Sequence, residues 1–116
     1  ASGALHHEID LTLKRAGLQN CFTGIVAADD VERQKPAPDS YVRAVELLLD
    51  KLGLQGQISP SRFVAIEDSK WGIEAAIAAG LPCIGVTHTY SANELSDADY
   101  VITDLSCIDH EFLEKI

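Results

Sequence analysis

With 116 residues, of which 47% are hydrophobic and 23% charged, the chain has room for one domain around a single core. Nine Lys and Arg against eighteen Asp and Glu leave a formal net charge of -9, which argues against nucleic acid or an anionic membrane as partner, because binding to phosphate polymers depends on cationic side chains. No apolar run approaches the roughly 20 residues of a membrane helix, and the start of the chain lacks the features of a signal peptide; three widely spaced cysteines without a Cys-x-x-Cys pair read as reduced thiols of a cytoplasmic protein.

Leu5, Ile9, Leu13 and Ala16 recur at helical spacing and Gly17 follows as a stop, which predicts a first helix. Gly24–Ala28 is short, apolar and closed by Asp29 and Asp30, the pattern of a buried strand. Pro36 and Pro38 punctuate a loop, and from Asp39 the stripe Tyr41, Val42, Val45, Leu48, Leu49 and Leu52 predicts a helix ending at Gly53. A second strand is expected over Phe63–Ile66, then a helix from Trp71 to Ala79 capped by Ser69 and stopped by Gly80. Cys83–Val86 and the shorter Tyr100–Ile102 complete the strands. Alternation of strands and helices implies an α/β fold with a mainly parallel sheet covered on both faces, and no repeat or linker divides residues 1–116.

The residues richest in chemistry are Glu67 and Asp68, adjacent acids where an apolar run passes into a helix. Ligands of open α/β sheets bind at that edge of the strands, and Mg²⁺ takes a few carboxylates together with waters and phosphate oxygens. An acid pair favoured by the helix dipole is the alternative. Lys35, in the run Gln34-Lys35-Pro36, is either the positive charge a phosphate needs or a solvated loop lysine. Asp29-Asp30 resembles the acidic pair of a receiver domain, but in such domains the lysine follows the phosphorylated Asp, the reverse of the order here; solvated turn acids are expected instead. Adjacent His6 and His7 point about 100° apart on a helix and make poor joint ligands. His88 and the Asp97-Ala98-Asp99 triplet read as loop and turn residues, and Cys83 as core.

Taken in order, Ile25–Val31, Lys35–Tyr41, Ala65–Ser69, Gly72–Ala76 and Ala79-Gly80 resemble the second half of a haloacid dehalogenase-like (HAD) hydrolase, nearest the subgroup of β-phosphoglucomutase and small-sugar phosphatases. The resemblance implies a Rossmann-like core and a set of roles. Ser2, with Gly3 beside it, matches the Ser or Thr that hydrogen-bonds the transferring phosphoryl group. Lys35 matches the lysine that neutralises the charge of nucleophile and phosphoryl group. Glu67 and Asp68 match the pair that holds Mg²⁺.

The departure from the pattern is as specific as the match. Members of this family begin with an Asp-x-Asp-Gly-Thr motif that supplies the nucleophile and the general acid and base, and no such segment occurs in these 116 residues. The first strand and the cap domain that go with it are likewise expected to be lacking. The resemblance therefore implies a Mg²⁺-dependent phosphatase or phosphomutase of small phosphorylated metabolites, represented by a part that should be inactive alone. A non-enzymatic relic or interaction module of the same fold is the alternative, and exposed sheet edges make a homodimer an expectation.

Overall fold

The stripe that begins at Tyr41 forms the longest helix. In the computed structural model, which describes all 116 residues, α2 spans Asp39–Leu52 and α1 spans His6–Ala16. Gly53 and Gly17 end these helices with φ of 67° and 68°, a left-handed conformation that costs a residue without a Cβ little.

Ala65–Glu67 forms β1, Lys70–Ala78 forms α3, Cys83–Val86 forms β2, Tyr100–Ile102 forms β3 and His110–Glu114 forms α4. The three strands make a parallel sheet in the order β1-β2-β3. Ala65 lies opposite Cys83, and Glu67 opposite Gly85; Gly85 in turn faces Val101.

Because successive side chains of a strand alternate between faces, Ala65, Cys83 and Val101 share one face. There Ile73, Ala75 and Ala76 of α3 are buried with Tyr41 and Val45 of α2 and with Leu95. Ile84 and Tyr100 point to the other face, where Phe112 of α4 meets Tyr100 edge to face with ring centroids 5.5 Å apart. The sheet thus carries helices on both sides, as the alternating pattern implied.

The expected strand over residues 24–28 does not join this sheet. Two backbone hydrogen bonds tie it to the start of the chain, from Ser2 N–H to the Val26 carbonyl at 2.9 Å and from Ala28 N–H to the Ala4 carbonyl at 2.8 Å. Val26 and Ala27 are buried all the same. Apolar content decided their burial, whereas strand identity needs a ladder of backbone partners, and beyond its own turn the backbone of this segment pairs only with the backbone of Ser2 and Ala4.

Asp29 and Asp30, expected in a solvated turn, are also structural. Asp30 accepts from the Ala27 N–H at 2.8 Å and lies 2.5 Å from the His6 imidazole, while Asp29 accepts from the His6 N–H at 3.0 Å. These bonds fasten the start of α1 to the turn after residues 24–28. Asp99 likewise does more than sit in a turn: its carboxylate accepts the Cys83 N–H at 2.8 Å, and its own N–H donates to the Cys83 carbonyl at 2.9 Å, satisfying the backbone where β2 begins.

Candidate functional site

β1 leaves the sheet at Glu67, and the chain turns into α3 within two residues because Ser69 caps the helix. Its hydroxyl accepts the Gly72 N–H at 3.1 Å. Strand alternation then sends Glu67 inward, where it is 7% exposed, and Asp68 outward into solvent. The inward carboxylate rests against Gly72 so closely that a Cβ built there would collide with it.

Lys35 reaches the same place from the loop before α2. That loop is held by Arg33, whose guanidinium pairs with Asp39 at 3.0 Å, and by Gln34, whose side-chain amide donates to the Ala28 carbonyl at 2.9 Å; the Lys35–Pro36 peptide is cis. The Lys35 ammonium forms an ion pair with Glu67 Oε1 and lies 3.5 Å from the Ala1 carbonyl oxygen. A buried carboxylate is costly unless paired and hydrogen-bonded, and Glu67 has both. The Tyr41 hydroxyl donates to the same Oε1 at 2.5 Å.

Ser2 and Gly3 border the same place. A cleft of about 420 Å³ is lined by Ser2, Gly3, Lys35, Glu67, Asp68 and Ser69, among others. All five residues singled out for phosphate or metal, drawn from three parts of the sequence more than 30 positions apart, therefore border one space. The Ser2 hydroxyl oxygen accepts the Ala4 N–H at 3.1 Å, so its own proton remains free to donate into the cleft. No third acid, histidine or cysteine joins Glu67 and Asp68 as a metal-binding group.

Two contributors escaped the sequence reading. Tyr41 falls in the apolar stripe of α2, yet its hydroxyl is the second donor to Glu67. The available signal was chemical: a tyrosine at a core position needs a partner for its O–H. Thr89, in the loop after β2, donates to Asp68 Oδ2 at 2.9 Å, a contact for which the sequence carries no signal. His88 is exposed and outside the cleft lining, as expected of a loop residue. His6 and His7 sit on α1, away from that lining.

The surroundings tune the groups that do not exchange protons. Burial first, and the adjoining Glu67 charge second, push the Tyr41 phenol far above its ordinary value, so it stays a donor. The same two causes push the Cys83 thiol up to about 12. A protonated, fully buried thiol is a core residue and no nucleophile. What remains facing the cleft is an ammonium, a hydroxyl donor and an exposed carboxylate, the groups to grip an oxyanion and a hard cation side by side.

The sequence and fold agree with that chemistry. A sequence model of the family "Haloacid dehalogenase-like hydrolase" matches residues 1–86. Validoxylamine A 7'-phosphate phosphatase of Streptomyces hygroscopicus subsp. limoneus is 38% identical over 82 residues, 71% of this chain and 35% of that protein. Among solved structures, a HAD hydrolase of family IA, variant 3, from Entamoeba histolytica superposes with a TM-score of 0.79 at 26% identity, over 97% of this chain and 49% of its own. β-Phosphoglucomutase from Clostridium difficile shares the fold, with a TM-score of 0.70 at 22% identity, over 90% of this chain and 42% of its own. The chain thus spans between about a third and a half of these relatives. It belongs to the haloacid dehalogenase-like hydrolases, in their phosphatase and phosphomutase-like subgroup.

Proposed function

We propose that these 116 residues form the phosphate-gripping and metal-supporting part of a Mg²⁺-dependent phosphatase or phosphomutase acting on small phosphorylated metabolites. The observation that carries this reading is the convergence of Lys35, Ser2, Glu67 and Asp68 on one cleft. Lys35 and the Ser2 hydroxyl bind phosphoryl oxygens, and Gly3 beside them borders open space, where a Cβ would meet nothing within 4 Å. Such fixed donors lower the barrier by meeting charge where it develops.

The acids divide their labour. Glu67 is committed to Lys35 and Tyr41, whereas Asp68 is exposed at the cleft with one oxygen held by Thr89. Asp68 is accordingly the direct ligand, and Glu67 holds the lysine in place while adding negative charge nearby. This donor set fits Mg²⁺, which commonly uses one or two protein carboxylates and completes its shell with water and phosphate oxygens. Bound there, the ion supplies Lewis-acid neutralisation of a phosphoryl oxygen.

No carboxylate among the cleft residues occupies the role of attacking nucleophile, so the 116-residue chain binds phosphate without turning over phosphate esters. A cytoplasmic setting is in keeping with three unpaired cysteines. Self-association belongs to the same reading, because β1 is an outer strand and its own Ile66 is exposed.

Titration with inorganic phosphate, followed by ³¹P NMR, tests the reading. Phosphate binding should strengthen when Mg²⁺ is added, and Asp68→Asn should remove that strengthening while leaving metal-free binding in place. Phosphate binding indifferent to both Lys35→Met and Asp68→Asn would end the proposal. Hydrolysis of an aryl phosphate by the 116-residue chain, lost in Asp68→Asn, would refute the claim that it lacks turnover.

A further inference from the structure

We infer that Tyr41 is a positioning residue of this cleft, its hydroxyl and ring together setting where the Lys35 ammonium stands and which of its N–H groups faces the phosphate. The inference rests on the reading of the cleft as a phosphate site. Tyr41 lies in the first turn of α2 and belongs to the core cluster with Val45, Ala65 and Ile73, so its ring is immobilised by packing rather than by the cleft. From that anchored position it touches both charged partners: the hydroxyl donates to Glu67 Oε1 at 2.5 Å, and the ring face lies 4.8 Å from the Lys35 nitrogen.

Each contact has a consequence for the lysine. A carboxylate bound only by Lys35 is free to turn about its terminal torsion and carry the ammonium with it. The Tyr41 hydroxyl on Oε1 and Gly72 against the rest of the carboxylate remove that freedom. The ring occupies one side of the ammonium and, as a cation–π partner, favours the charge while keeping water away from that side. An ammonium has three N–H groups. Glu67 takes one, and the Ala1 carbonyl stands at hydrogen-bond limit from another. The third is left for an oxyanion in the cleft. A core position with no such duty would need only apolar contacts, and phenylalanine would fill it without a hydroxyl to satisfy.

Tyr41→Phe separates the two roles, because it keeps the ring and its packing and removes only the hydroxyl. In ¹⁵N-labelled wild-type chain, the Lys35 ammonium should give a slowly exchanging cross-peak, assigned by its loss in Lys35→Met. Tyr41→Phe should speed its proton exchange about tenfold and weaken inorganic phosphate binding about tenfold, the scale of one hydrogen bond to a charged group. Backbone amide shifts should move only around residues 35, 41 and 67. Unchanged ammonium exchange in Tyr41→Phe would overturn the inference, and so would a wild-type Lys35 without a protected signal. An ammonium that responds to Tyr41→Phe in a chain indifferent to phosphate would instead retire the phosphate reading and leave Tyr41's hold on Lys35 standing. Should Tyr41→Phe fail to fold, the wild-type spectrum decides: a Tyr41 hydroxyl proton resolved from water and close to the Lys35 ammonium supports the inference, and its absence defeats it.

Discussion

Gly72 shows how one missing methyl group sets the electrostatics of the cleft. Glycine inside a helix costs about 1 kcal/mol against alanine, so a purely helical account predicts that Gly72→Ala stabilises the protein. The Glu67 carboxylate, however, occupies the space a Cβ would need. Forcing it out would break its contacts with Lys35 and Tyr41 in a buried setting. We therefore expect Gly72→Ala to lower the unfolding free energy by about 1–3 kcal/mol in urea denaturation, the usual cost of overpacking, and to weaken phosphate binding as well. A stability gain near 1 kcal/mol would mean that Glu67 is not held against α3. Glycine at this position was visible in the sequence as part of the family pattern, but its reason was not, since Glu67 approaches it only once the chain has turned at Ser69.

At the scale of the element, the turn from β1 into α3 couples stability to the site. Ser69 is the N-cap of α3, and the same turn delivers Asp68 outward and Glu67 inward. Replacing Ser69 by Ala should cost about 1 kcal/mol, measurable as a shift of the urea midpoint with an unchanged slope. Because α3 carries the buried Ile73, Ala75 and Ala76, the loss should be felt by the whole cooperative unit rather than by a frayed end. An unaltered midpoint would show that the packing of α3 suffices to hold its first turn. This capped strand-to-helix turn was the most legible part of the fold: an apolar run, two acids, a serine and a helical stripe in immediate succession. The segment 24–28 was the least legible, because burial and ladder formation carry the same apolar signature and only the neighbouring chain distinguishes them.

At the scale of the whole chain, the sheet ends in two outer strands, and the β1 edge is the one flanked by exposed apolar side chains. β1 pairs with β2 on one side alone, and Val64, Ile66 and Trp71 are 37%, 45% and 61% exposed around it. A strand edge flanked by apolar side chains is a template for pairing with a further strand. Sedimentation velocity should therefore show a weight-average sedimentation coefficient that rises with concentration, and Ile66→Lys should suppress the rise by placing a charge on that face. A monomer at every concentration would dismiss self-association through this edge.

The amino-acid sequence by itself determined the α/β alternation, the helix stops at Gly17 and Gly53, the Ser69 cap, and which residue types were suited to phosphate and Mg²⁺. These are properties of local spacing and of side-chain chemistry, and both are written in the order of residues. Tertiary structure alone decided that Ser2, Lys35, Glu67 and Asp68 border one cleft, that Tyr41 and Thr89 hold its two carboxylates, and that Asp29, Asp30 and Asp99 tie backbone segments together. The physical reason is that a hydrogen bond or ion pair between distant positions depends on where the sheet register and helix packing bring the chain. A tyrosine in an apolar stripe looks the same in sequence whether its hydroxyl meets water or a buried carboxylate.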